Sequence, residues 1–139
     1  MVSKGWSVRM YDYQSLVGIP FRDGGRTPEE GFDCWGLVRY LYQQRGVELP
    51  LYLIDPQDRD AVNAEMMMEA ARCWQQVSPP AIGDVVLLEL AEGVPNHVGI
   101  YIGGGDFIHA YNKSVVIDRL RNWRSRVVGF YKPKEGAYV

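Results

Sequence analysis

The chain has few of the side chains that most often carry nucleophilic and acid–base chemistry: two histidines and two cysteines in 139 residues. Any thiol or imidazole mechanism is therefore confined to Cys34, Cys73, His97 and His109. An excess of basic residues is also missing. Fifteen Lys and Arg against 17 Asp and Glu give a formal charge of −2, which argues against the broad positive surface of a nucleic-acid-binding domain. The one basic cluster, Arg119, Arg121, Arg124 and Arg126, is short, is broken by Trp123, and reads as a solvated face rather than a phosphate site. No apolar run is long enough to span a bilayer, and the opening MVSKGWSVRMYDYQ lacks the apolar stretch of a secretory signal. Membrane insertion is not expected, and the chain is expected to be made in a cytoplasm without exporting itself. Without a signal peptide, a single pair of cysteines reads as two thiols rather than a disulfide.

Internal repeats, low-complexity tracts and Ser- or Pro-rich linkers are absent as well, so the length fits one domain over residues 1–139. With 47% apolar and 23% charged residues, the chain has the balance of a globular protein and not of a disordered one. Tyr11 to Ile19 reads as a short helical segment stopped by Pro20, followed by a loop through Gly24, Gly25 and Pro28. From Cys34 the positions Leu37, Val38, Leu41 and Tyr42 keep helical spacing, with Asp33 placed as N-cap and Gly46 as stop. A second helix is predicted from near Asp58 to Val77, with Met67, Ala70, Ala71, Trp74 and Val77 on one stripe. Met66 to Met68 reads as packing rather than a ligand box. Beyond Pro80 the pattern turns to strands at 84–90, 97–102, 106–111, 114–120 and 127–131. Helices followed by a meander imply an α+β domain, with N-terminal helices packed on a central antiparallel sheet of about five strands.

A cysteine at the first turn of a helix is a candidate nucleophile, because the free N–H groups and the helix dipole favour the thiolate. Taken alone, Cys34 is equally compatible with a buried structural role. The histidines add weight. A hairpin turn centred on Gly104 would set residue 102 opposite 106, 99 opposite 109 and 97 opposite 111, placing both imidazoles on one sheet face as diagonal neighbours; a slip of one residue would separate them. Gly99 opposite His109 would leave room on that face. If the Cys34 helix starts there, one imidazole can take the thiol proton while the other orients it, with His97 as base and His109 as orienter. Zinc on the same three residues is the alternative, although the closely spaced Cys/His pairs common in zinc motifs are missing.

Four segments carrying this chemistry resemble, in order, the NlpC-type family of bacterial and phage cell-wall peptidases, which are papain-like cysteine enzymes. They are Gly31-Phe32-Asp33-Cys34-Trp35-Gly36-Leu37-Val38, Pro80-Ala81-Ile82-Gly83-Asp84-Val85-Val86, Asn96-His97-Val98-Gly99-Ile100-Tyr101-Ile102 and Phe107-Ile108-His109-Ala110. The resemblance covers about residues 16–131. It implies a papain-like fold, a Cys34–His97–His109 centre without metal or organic cofactor, and hydrolysis of peptidoglycan stem peptides, at the bond between D-glutamate and a diamino acid. Two positions depart from the family: Trp35 stands where a small residue is common, and Phe21 where a Pro-Tyr segment supplies a hydroxyl. Phe21, Asp33 and Trp35 are the expected substrate-side and oxyanion neighbours, with backbone N–H groups replacing the lost hydroxyl. Cys34-Trp35-Gly36, the Trp74-to-Pro80 connection and Val127 to Tyr131 resemble tailed-phage members. They imply a tail-tip enzyme of the virion, with other tail proteins as partners. A silent structural component of a tail tip, or a papain-like amidase or acyltransferase, would share the same residues.

Overall fold

The computed structural model describes residues 11–50, 72–91 and 93–138. Among them are one α-helix, α1 (Cys34–Gln43), and eight strands: β1 (Arg26–Thr27), β2 (Gly31–Phe32), β3 (Trp74–Val77), β4 (Val85–Ala91), β5 (Val94–Gly103), β6 (Asp106–Tyr111), β7 (Ser114–Arg119) and β8 (Val127–Pro133). β1 and β2 form a small hairpin. The other six make one antiparallel sheet in the order β3-β8-β4-β5-β6-β7. The last five strands follow the sequence pattern closely; β8 folds back beside β4, and β3 is an additional edge strand.

Two expectations about helices are corrected. The Tyr11-to-Ile19 segment forms only a 3-10 turn, Tyr13–Leu16, and Asp12 makes no side-chain cap to lengthen it. The backbone that follows is drawn into the sheet edge instead. Gly18 donates to the Val115 carbonyl, Val115 to that of Ile19 and Phe21 to that of Lys113. The predicted helix near 58–77 is helical at Arg72 and Cys73 and gives way to strand from Trp74, because Trp74 through Val77 pair residue by residue with Pro133 through Phe130. That ladder, with Trp74 buried against Tyr42 and Tyr138, outweighs the helical stripe. The rest of that segment up to residue 71, Met66 to Met68 included, lies outside the described residues.

The sheet separates two clusters. On one face Leu37, Val38, Leu41 and Tyr42 of α1 pack against Val85, Leu87, Val98, Ile100, Ile108, Ala110 and Val115. On the other, Val86, Leu88 and Phe107 pack with Tyr101, Trp123 and Phe130. The alternation along β4, β5 and β6 decides which residue faces which layer. The body of α1 thus covers the face opposite the histidines.

The start of α1 is fixed from several sides. Asp33 Oδ1 accepts from the Gly36 N–H at 2.7 Å and Oδ2 from the Gly24 N–H at 2.8 Å. Gly36 lies so close to the Gly25 carbonyl that a β-carbon would overlap its oxygen. Near the other end of α1 the Tyr42 hydroxyl donates to the Gly83 carbonyl at 2.8 Å. Asp84 Oδ2 accepts from the Ala81 N–H at 2.8 Å, closing the turn before β4. Asp33→Ala removes an acceptor from two backbone donors. We expect a loss of about 1–2 kcal/mol, read as a lower urea midpoint at unchanged slope.

Candidate active site

Ile100 faces Ile108 and Tyr101 faces Phe107, the register expected from a turn centred on Gly104. At the tip the pairing slips, with Gly103 rather than Ile102 facing Asp106. Toward the other end the ladder stops at Ile100↔Ile108, so the expected partnerships of 99 with 109 and 97 with 111 are not continued as ladder pairs. The faces are nevertheless kept. His97 Nε2 lies 2.8 Å from His109 Nδ1, with ring centroids 5.1 Å apart. Gly99 makes this possible, since a β-carbon there would meet the Ile108 carbonyl oxygen at 2.8 Å and the His109 β-carbon at 3.0 Å.

The open end of the β5/β6 ladder also locates the thiol. Val98 lies beyond the last β5/β6 pair, and its backbone N–H faces the Cys34 sulfur, as do those of Trp35 and Cys34 itself. Cys34 therefore approaches from the helix layer at the point where the strands part, one residue along β5 from His97. The expected packing of the helix on the histidine face is not what is found: α1 packs on the opposite face, and Cys34 meets β5 at Val98.

The electrostatics differ from the expectation of a helix-activated thiolate. Burial pushes the Cys34 thiol up to about 12, and the neighbouring Asp33 carboxylate adds to the shift. The three N–H groups favour the anion but are outweighed. His97 is 3% exposed; burial lowers it to about 3, with His109 contributing in the same direction. His109 is also lowered by burial, against the raising effect of Asp118. The resting centre is a neutral thiol beside neutral imidazoles.

One member of the centre escaped the sequence reading. Asp118 Oδ2 lies 2.8 Å from His109 Nε2. The signal was present in the hairpin: a two-residue turn at Asn112-Lys113 pairs His109 with Val116, placing Asp118 diagonally on the same face. Aromatic rings enclose the imidazoles. Tyr111 stacks on His109 at 5.4 Å and 7° and lies 5.8 Å from His97, while Trp123, from the 3-10 turn Leu120–Trp123, meets His109 edge-on at 5.1 Å.

The three expected substrate-side residues each have partners within the fold. Both Asp33 oxygens are used by backbone donors, and a carboxylate cannot donate to an oxyanion; its role is to hold the helix start. The Trp35 indole N–H donates to the Pro50 carbonyl at 2.9 Å, so that group is committed to the fold. Phe21 sits against the helix-side core, bridged to Phe32 two residues before Cys34, and brings no hydroxyl. For zinc the donor geometry is unfavourable. The facing nitrogens of the histidines are engaged with each other and the far nitrogen of His109 with Asp118, leaving one imidazole nitrogen free to ligate beside Cys34.

Two measurements check this description. The unfolded chain binds protons on histidine below about 6.5, whereas folded His97 resists them down to about 3. Stability is therefore retained above pH 6.5 and lost as the pH falls through that window, by about 2 kcal/mol at pH 5 from His97 alone; urea titrations from pH 7.5 to 4.5 should show the decline, and His97→Gln should flatten it. Gly99→Ala should push the two imidazoles apart, seen as altered histidine ring resonances in a chain that remains folded.

Comparison with known proteins agrees with the architecture. Residues 18–132 match the NlpC/P60 family model. The chain is 31% identical over 120 residues to the probable peptidoglycan endopeptidase LytE of Bacillus subtilis (strain 168), covering 85% of this chain and 31% of that protein. It is 35% identical over 140 residues to the gamma-DL-glutamyl hydrolase of the same strain, covering 91% and 30%. It thus spans about a third of the length of these curated relatives. Among solved structures, a lipoprotein-like NLP/P60-family protein of Staphylococcus aureus subsp. aureus Mu50 superposes with a TM-score of 0.61 at 26% identity, over 85% of this chain and 37% of that one. With the match covering most of the sequence, the chain belongs to the NlpC/P60 family.

Proposed function

We propose that this domain is a cysteine peptidase acting on the stem peptides of peptidoglycan, with Cys34 as nucleophile, His97 as proton shuttle and His109 as its orienter. The observation that carries the reading is the meeting of Cys34 with β5 at Val98, beside a buried histidine hydrogen-bonded to a second one. His97 Nε2 is engaged with His109, so Nδ1 is the nitrogen left for the thiol proton. Because the resting pair is neutral, the proton leaves sulfur as the C–S bond forms, rather than in a separate step beforehand. The carbonyl oxygen gathers negative charge within reach of the N–H groups at the start of α1, the place for an oxyanion given that Phe21 offers no donor. The protonated His97 returns its proton to the departing amine, and water then hydrolyses the thioester.

The bond proposed is the one between D-glutamate and the diamino acid. Its support is the 35% identity to a relative named as a gamma-DL-glutamyl hydrolase. Delivery by a phage tail tip, with tail proteins as partners, is a finer proposal resting on the resemblance of Cys34-Trp35-Gly36 and the Val127-to-Tyr131 segment to tailed-phage members. A second reading, a non-catalytic member of the fold, is favoured by the setting of Cys34, which packs against the helix-side core with the Asp33 carboxylate next to it, both of which disfavour a thiolate. A single assay separates the two. Incubated with purified cell wall, the protein should release soluble peptides whose masses identify a new diamino-acid amino terminus, and Cys34→Ala should release none. His109→Ala should slow release roughly 100-fold with little change in KM. Release by Cys34→Ala at the wild-type rate would remove the cysteine mechanism.

A further inference from the structure

The hydrogen-bond chain continues past His109. Its far end is Asp118 on β7, whose side chain is 36% exposed, whereas the His109 side chain is 0% exposed. The ring plane of His109 is held by Phe107 at 4.3 Å, Tyr111 at 5.4 Å and Trp123 at 5.1 Å. These contacts fix where its nitrogens point but not which one carries the proton.

Two neutral imidazoles joined by one hydrogen bond have two equivalent arrangements. Either His97 Nε2–H donates to His109 Nδ1, or His109 Nδ1–H donates to His97 Nε2. The second would place the His97 proton on Nδ1 and leave no lone pair for a thiol. Nothing within the pair chooses between them. A carboxylate does, because it only accepts. With Asp118 Oδ2 at 2.8 Å, the proton of His109 belongs on Nε2, its Nδ1 becomes an acceptor, and the 2.8 Å contact to His97 requires the His97 proton on Nε2.

The geometry points to Asp118 as the positioning residue that sets the tautomers of both histidines, so that His97 presents a lone pair at Nδ1. This rests on the reading of His97 as the base. In the attack step the S–H bond breaks and an N–H bond forms at His97 Nδ1. The imidazolium keeps its Nε2–H donated to His109, and His109 keeps its own Nε2–H donated to Asp118, so no proton travels along the chain. The same proton leaves with the amine. Asp118 acts twice over: it holds the lone pair in place beforehand and faces the positive charge across one ring while it exists.

The test uses the full chain. A two-bond proton–nitrogen correlation spectrum of the imidazoles contains two ring systems, because the sequence has two histidines. In the wild type at pH 7.5 both rings should be protonated at Nε2 and bare at Nδ1. In Asp118→Asn the side-chain amide can turn its NH2 toward His109. His109 should then show protonation at Nδ1, and kcat for peptide release should fall roughly 100-fold while KM stays within about threefold. Asp118→Glu retains an acceptor-only group and should restore the wild-type ring pattern and most of kcat.

Protonation at Nδ1 of either ring in the wild type would overturn the assignment. So would Asp118→Asn with unchanged rings and kcat, or Asp118→Glu failing to recover the pattern. Should Asp118→Asn not fold, the wild-type and Glu spectra still decide. The ring spectra do not depend on turnover. A wild type with the expected tautomers but no peptide release would overturn the peptidase reading and leave the tautomer assignment standing.

Discussion

The pairing of β5 with β6 governs everything near the sulfur. Setting Ile100 opposite Ile108 sends His97, Gly99, Phe107 and His109 to one face and Val98, Ile100 and Ile108 to the other, where α1 packs. A shift of one residue between the two strands would leave one imidazole on this face and turn the other under the helix. The same ladder stops before Val98, leaving an N–H to meet the cysteine. Gly99 lets the pairing hold, because a side chain there would collide with the very histidine that the register brings across.

Burial then sets the charge state. His97 and His109 are nearly inaccessible, and transferring an imidazolium from water to such a place is costly unless an anion faces it directly. Asp118 faces His109 rather than His97, so neither the depressed basicity of His97 nor the raised thiol is reversed at rest. The proposed mechanism starts from such a neutral pair, deprotonates the nucleophile as it attacks, and so depends on what the arriving carbonyl and its N–H donors contribute.

The residues around the cysteine that depart from the family pattern have structural employment. Trp35 ties the first turn of α1 to Pro50 and leans on Trp74; Phe21 joins the core where the 18–21 segment bridges β7 and β2. Asp33 holds both the helix and the Gly24 loop. The helix start is thus positioned by N–H donors of Gly24 and Gly36 and by carbonyl acceptors of Gly25 and Pro50, which limits how far the thiol can move relative to β5.

Local pattern in the sequence was enough for the α1 stripe, the cap at Asp33, the last five strands and the glycine turn that predicts a shared histidine face. These are properties of neighbours, where period and turn chemistry act over a few residues. The extra strand at Trp74 to Val77 was not legible, since its partner β8 lies more than fifty residues away and decides against the helical spacing. Nor was the thiol's upward shift, because dipole and cap argue one way from sequence while burial, a property of the whole packed domain, argues more strongly the other. Asp118 lies between these cases: its strand was readable, and its partner across the hairpin was computable, but only the folded sheet shows a carboxylate ending at a buried imidazole. By itself the sequence determined which groups could perform the chemistry; the tertiary structure decided their faces, their protonation and their order, since those depend on contacts between segments that local sequence does not encode.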